Sequence, residues 1–247
     1  LSPKPGAGAQ EIRVSERGSS EDALAKLYFY VIPWTVPVIL ASLTSLFLGV
    51  GRSWIWIPLL LIYWGTIWGL TLYYRRRRGG VFDQERFRIT FKLRGEHAWL
   101  QYVLIYGPLL WVIPFWAHSY LPHLSVNMAL VMLLGAAING PSEEIYWRAC
   151  LEDAGRAAGV SQKKRLILAP IMFALWHTAF VIHIFPFDET WIAAWAATIL
   201  STWISGSIWM WVLHRSGRLF PQCFYHSCAN FLSVFPMIAI TALHLSF

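Results

Sequence analysis

The sequence predicts an all-α protein, a polytopic transmembrane helix bundle of about seven to eight spans, and three observations predict it. Hydrophobic residues make up 57% of the 247-residue chain and charged residues only 13%, against about 25% charged in an average soluble domain. So little charge cannot cover the surface of a soluble protein of this size, whereas a bilayer removes the need. The apolar residues also fall in successive runs of about 20, the length that crosses a hydrocarbon core. Finally, the basic residues alternate from one connecting loop to the next in the way that sets membrane topology.

The runs follow in order. The first extends from Leu27 to Val50 and the second from Ser53 to Tyr74, ending at Arg75–Arg78. A third, Trp99 to Trp116, is interrupted by Pro108 and Pro114, and a fourth leads from about Ser125 into the segment carrying Glu143. Leu166 to Ile184 and Trp191 to Leu213 form the fifth and sixth. Leu219 to Phe247 is too long for one span, so Pro236 is expected to divide it into a seventh span and a short eighth segment. Residues 1–24 carry no apolar core before Leu27 and are expected to be a flexible polar cytoplasmic tail, not a signal peptide. Residues 25–247 then form a single transmembrane helical domain. The loop from Val81 to Glu96 is expected to be an interfacial amphipathic helix, with Phe82, Phe87, Phe91 and Leu93 on its apolar side.

The net charge of +7 points to topology and to anionic lipid headgroups, because no nucleic-acid recognition module accompanies it. Arg75–Arg78, Arg86, Arg88, Lys92 and Arg94 share a predicted side with Arg156, Lys163–Arg165, Arg215 and Arg218. The opposite loops hold Arg52, Asp188 and Glu189. The basic loops and the N-terminus are therefore expected in the cytoplasm. Many of the 15 tryptophans, such as Trp54, Trp56, Trp99, Trp116 and Trp191, sit near span ends and read as interfacial anchors. Cys150, Cys223 and Cys228 show no paired metal spacing and read as small buried hydrophobes.

Charges inside apolar spans cost about 2.5–3.5 kcal/mol each on insertion scales, so each asks for a reason. Asn139-Gly-Pro-Ser-Glu-Glu-Ile-Tyr-Trp-Arg148 holds three. Gly140-Pro141 is expected to break or kink the fourth helix. Ser142 would cap a new one, with Glu143 and Glu144 in its first turn. Glu144 and Arg148 are i and i+4 and can pair, leaving Glu143 on another face as a candidate general base. His177 lies four residues after Phe173. His226 and Asn230 are again i and i+4, so one helix face presents an imidazole and a carboxamide. Inward side chains on facing spans are how helix bundles build sites. The set fits water activation by Glu143 helped by His177, with His226 and Asn230 donating to a developing oxyanion.

Glu143-Glu144-Ile-Tyr-Trp-Arg148 has the form EExxxR, Phe173-Ala-Leu-Trp-His177 the form FxxxH, and His226-Ser-Cys-Ala-Asn230 the form HxxxN. In this order they resemble the signature of the CAAX-protease and bacteriocin-processing family of intramembrane endopeptidases, which includes the type II CAAX prenyl protease, over about residues 125–235. The resemblance implies a bundle of about eight spans with a cavity formed by the C-terminal spans. It implies peptide-bond hydrolysis by a glutamate-activated water without a cofactor. It places the water-activating glutamate on Glu143, its helper on His177, the oxyanion pair on His226 and Asn230, and the supporting roles on Glu144, Arg148 and Phe173. The implied partners are membrane lipids and a peptide or lipidated protein substrate. Oligomeric state is not legible.

Three alternatives stay open. A zinc protease would use Glu143, His177 and His226 as ligands, although no HExxH spacing is present. A non-catalytic membrane scaffold or immunity protein would act through binding. A transporter would line a path with the same polar groups, but no inverted hydropathy repeat supports it.

Overall fold

A computed structural model describes residues 21–48, 56–78, 85–184 and 188–236. The expected tail up to residue 20, Phe82 and the short eighth segment after Pro236 lie outside the described residues. Among these residues helix is the regular secondary structure, with no strand. Helix α1 (Glu21–Tyr30) leads into α2 (Ile32–Leu48) through a 43° bend. Pro33, one residue into α2, has no N–H for the carbonyl four residues back, which accounts for the bend. After α3 (Trp56–Arg78) come α4 (Ala98–Tyr106) and α5 (Leu109–Ser119), parted at Gly107-Pro108. Helix α6 (Val126–Glu144) starts where the sequence placed it, with Ser125 Oγ accepting from the Met128 N–H. It passes through a π-helical turn (Ile145–Cys150) into α7 (Leu151–Ala157). Then follow α8 (Gln162–Trp176), α9 (Thr178–Ile184) and α10 (Trp191–Ser216), the last stopped by Gly217 at φ 64°. Helix α11 (Phe220–Ala229) runs into a second π-helical turn (Asn230–Val234).

Among the described residues three stretches are long and apolar enough to cross a membrane, Ala98–Trp116, Gln162–Ile182 and Trp191–Ser216, or four if the bent α1–α2 pair counts as one. They coincide with the third, fifth, sixth and first expected spans. Large apolar side chains point outward along the bundle, with Trp111 83% and Leu110 74% exposed, and Val131 and Ile192 each 71%. In water such a surface would drive association, whereas hydrocarbon solvates it.

The main core brings Trp147, Phe173, Tyr63, Met172, Trp209 and Met210 together from α3, α8, α10 and the first π turn. Helix α10 packs chiefly on α8, α11 on α6, and α2 on α9. A Cβ on Gly140 of α6 would stand 2.4 Å from Ser227 Oγ and 2.6 Å from the Ser227 backbone N. Only glycine lets α6 and α11 approach this closely, and that approach carries the two motif helices together.

Two expectations are corrected. Gly140-Pro141 does not break the fourth helix and Ser142 does not cap a new one. Instead α6 continues through Pro141, and Ser142 Oγ donates back to the Ile138 carbonyl at 2.6 Å. The helix widens into the π turn only after Glu144. Glu143 and Glu144 thus close a helix rather than open one. The second correction concerns the loop before α4. Its described part, from Glu85, holds a turn and then extended chain, not an amphipathic helix. Phe87-Arg-Ile-Thr-Phe-Lys-Leu-Arg94 alternates strictly, which is the period of an extended segment rather than of a helix. Leu93 is buried and Phe91 packs edge-on to Phe220 and Phe224. The Arg86 carbonyl accepts from the Leu219 N–H, and Arg218 pairs with Glu85 at 2.7 Å. The segment is a strap across the α10–α11 turn.

Candidate active site

Glu143, His177, His226 and Asn230 come from three separate stretches of chain and line one cavity of about 50 Å³, together with Asn139, Leu60, Trp176, Phe180, Val234 and Phe235. All four candidate catalytic residues of the sequence therefore border the same space.

Glu143 and Glu144 end α6 and are fully buried. His226, on α11, bridges them: its Nδ1 lies 2.8 Å from Glu144 Oε1 and its Nε2 3.0 Å from Glu143 Oε2. Arg148 approaches the same Glu144 oxygen at 3.3 Å. A carboxylate beside a guanidinium is an acceptor, so the His226 Nδ1 donates to it and Nε2 is left facing Glu143. The Nε2–Glu143 contact is out of line for a hydrogen bond, and both Glu143 oxygens lack an aligned donor. Arg148 is itself buried, with its guanidinium 3.8 Å from the Phe173 ring centroid and 5.0 Å from that of Trp209. Gly206 opens this slot, since a Cβ there would come within 3.3 Å of both Arg148 Nη2 and Phe173.

His177 caps the C-terminus of α8, half-buried, with Nδ1 3.2 Å from the Phe173 carbonyl oxygen. A carbonyl only accepts, so Nδ1 carries the proton and Nε2 keeps its lone pair. Phe173 stands edge-on to both imidazoles, with centroids 5.0 Å from His177 and 6.0 Å from His226. It fixes one ring and cradles Arg148 with the same face set. Asn230 opens the second π turn, and its buried Nδ2 has no hydrogen-bond partner.

Three residues at the site went unread in the sequence. Tyr63 of α3 accepts a hydrogen bond at 2.8 Å from Nε1 of Trp147, in the π turn that follows Glu143 and Glu144. Trp176 stacks on Tyr63 with centroids 4.5 Å apart and lines the cavity. Asn139 accepts from Trp64 Nε1 at 2.6 Å. Asn139 alone carried a signal, as a polar residue in an apolar span.

Among the described residues no three His, Cys, Asp or Glu side chains are grouped so as to hold a metal ion. The Glu143, His177 and His226 trio of the zinc alternative does not form such a group.

Apolar helices with large side chains facing outward, three or four of them among the described residues long enough to span, fit a membrane protein. Residues 125–232 match the family described as type II CAAX prenyl endopeptidase Rce1-like, a family of proteases. The match spans all three motifs and agrees with the resemblance read from them. No curated protein and no solved structure matches the chain.

Proposed function

We propose that the protein is an intramembrane endopeptidase that cleaves a peptide bond with a water activated by Glu143. The observation that carries this reading is the shared cavity: a carboxylate, two imidazoles and a carboxamide bordering one space inside the bundle. The water oxygen attacks the carbonyl carbon while its proton passes to Glu143, and the carbon–nitrogen bond then breaks as that proton is delivered to the leaving amine. The His177 Nε2 lone pair accepts a proton beside Glu143. Asn230 Nδ2 is a buried donor available to the oxygen that becomes negative; His226, with a carboxylate on each ring nitrogen, carries both protons, and its Nε2–H would turn from Glu143 to the substrate oxygen. Glu144 and Arg148 hold the His226 ring rather than reacting.

The substrate is a prenylated CAAX-type protein or a small bacteriocin-like or signalling peptide. The apolar cavity wall of Leu60, Trp176, Phe180, Val234 and Phe235 suits an apolar residue beside the scissile bond. The chain crosses the bilayer seven or eight times with its basic end in the cytoplasm, and cleavage takes place near that face. Ion pairs such as Arg86–Asp153, Arg165–Glu152 and Arg218–Glu85 gather at one end of the bundle, which supports this orientation.

The test is incubation of the purified protein in detergent with prenylated and unprenylated C-terminal peptides in oxygen-18 water, read by mass spectrometry. Wild type is expected to release one product carrying a single heavy oxygen at its new carboxyl terminus, and Glu143→Gln none. Equal cleavage by the two proteins sinks the proposal.

A further inference from the structure

We infer that Asn139 holds the bound peptide: its Nδ2, turned to the cavity by the Trp64 indole on its Oδ1, donates to the substrate carbonyl next to the scissile one. This rests on the reading of the cavity as a site of peptide cleavage, and it adds a residue that belongs to none of the three motifs.

The orientation of the amide carries the argument. Asn139 borders the cavity and is 5% exposed. Its Oδ1 lies 2.6 Å from Trp64 Nε1. An indole N–H only donates, so the oxygen end of the carboxamide faces Trp64 and both Nδ2 hydrogens face the other way. Among the described residues Nδ2 makes no hydrogen bond. A donor this deep in the bundle is costly to leave without an acceptor, and the cavity is where an acceptor can enter. Four residues along α3, Trp68 Nε1 donates to Ser142 Oγ at 2.8 Å. Two indoles one turn apart thus hold the same face of α3 against α6, which keeps Trp64 in register with Asn139.

The register of α6 and α11 gives the donor its place relative to the reacting atoms. Glu143 meets His226 at 3.0 Å, Gly140 lies against Ser227, and a Cβ on Gly135 would stand 3.3 Å from the Phe235 ring. The two helices therefore run antiparallel. Asn139 is four residues before Glu143 and Asn230 four after His226, so both step the same way along the bundle, by about 6 Å on an ideal helix. The cavity then has a carboxylate and an imidazole at one level and a carboxamide from each helix at the next. In the proposed reaction the oxyanion turns toward the donors His226 and Asn230, on the α11 side. In an extended peptide each residue advances the chain by about 3.3–3.6 Å, and successive residues point to opposite sides. The carbonyl beside the scissile one therefore turns toward α6, where Asn139 offers its N–H groups.

Asn139→Leu keeps the volume and removes the donor. Trp68→Phe breaks a comparable hydrogen bond between α3 and α6 outside the cavity and serves as the control for loosening of that contact. The probes are a prenylated C-terminal peptide and two analogues, in which the peptide bond on one or the other side of the scissile bond is replaced by an (E)-alkene that lacks the carbonyl oxygen. Asn139→Leu is expected to raise KM for the unmodified peptide by about threefold to tenfold with kcat changed less than about twofold, the size of one neutral hydrogen bond lost from binding. Trp68→Phe is expected to stay within about twofold of wild type in KM. One of the two analogues is expected to show the same rise with wild type and no further rise with Asn139→Leu, the coupling that a direct contact requires and a structural role does not produce. If Asn139→Leu does not fold, the double variant Trp64→Phe/Asn139→Leu, which leaves no indole without its acceptor, carries the same comparison. An unchanged KM overturns the inference, and so do analogues that cost wild type and variant equally. The Kd of the three peptides for Glu143→Gln, with and without Asn139→Leu, separates this inference from the reaction: the coupled pattern without cleavage by wild type would sink the proposed function and leave Asn139 as a peptide-binding residue, and no binding at all would sink both.

Discussion

Arg148→Met is the substitution whose cost the structure defines best. The guanidinium is buried between Phe173 and Trp209, with centroids 3.8 Å and 5.0 Å away, and it faces Glu144 Oε1 at 3.3 Å. Methionine fills much of the slot but leaves the Glu144 carboxylate, fully buried, with His226 Nδ1 as its remaining partner. Removing one member of a buried pair costs about 3–5 kcal/mol, because the other charge stays desolvated. The cation–π contacts, about 2 kcal/mol when desolvated, overlap with that figure and are not added to it. The assay is chemical denaturation in detergent, comparing wild type, Arg148→Met, Glu144→Gln and the double variant. Arg148→Met is expected to lose about 3–5 kcal/mol, and the double variant to lose clearly less than the sum of the singles, since it buries no orphaned charge. A single loss below about 1 kcal/mol, the range of exposed pairs, would refute the account, as would strict additivity.

The helix contact at Gly140 should tolerate no side chain. Gly140→Ala drives a Cβ to 2.6 Å from the Ser227 backbone N, and is expected to cost about 1–3 kcal/mol in denaturation and most of the activity. Gly65→Ala, where nothing lies within 4 Å, is expected to gain up to about 1 kcal/mol. Glu144→Gln weakens the acceptor that holds His226 Nδ1 at 2.8 Å, and is expected to lower kcat by about tenfold to a hundredfold in steady-state kinetics. Acid should weaken the fold through Glu152 of α7, which lies outside the candidate spans. Burial pushes its carboxyl up, but hydrogen bonds and charge from His214 and Arg165 outweigh that and hold it down at about 2 against 4.5 unperturbed. Its folded-state value is depressed, so its contribution to stability is complete above about 4.5 and is lost as pH falls from there toward about 2. Glu152→Gln should remove that stretch of the acid-unfolding curve, which a pH titration of helicity would read.

What the sequence made legible follows from how far each signal reaches. The spans and three motif clusters are local patterns: a run of apolar residues, or two polar residues four apart on one helix face. Helix α6 starts at Ser125, and the stretches beginning near residues 98, 162 and 191 match the expected ones. The expected break at Gly140-Pro141 is not found, because a proline removes a single backbone donor and the packed helix α6 continues through it to Glu144. The strap before α4 failed because four aromatic and aliphatic residues were matched to a helical face when their spacing alternates. That error was avoidable from residues 87–94 alone.

The tryptophans show a different limit. Their frequency was read as interfacial anchoring, and Trp99, 67% exposed, fits that. Yet Trp64, Trp68, Trp147 and Trp195 direct their indole N–H groups to Asn139, Ser142, Tyr63 and Thr178. An indole supplies one fixed donor on a large apolar body. Inside a bilayer, where water cannot satisfy a buried amide or hydroxyl oxygen, that combination lets a helix cross-link polar positions without adding charge. Trp147 Nε1 donating to Tyr63 is one such cross-link, between α3 and the π turn that follows Glu143 and Glu144. Nothing in the spacing of residues 63 and 147 announces the pairing, because it depends on how two helices far apart in sequence pack. The charged half of the site is therefore readable as motifs, while the uncharged half that steadies it becomes visible only once α3 lies against α6.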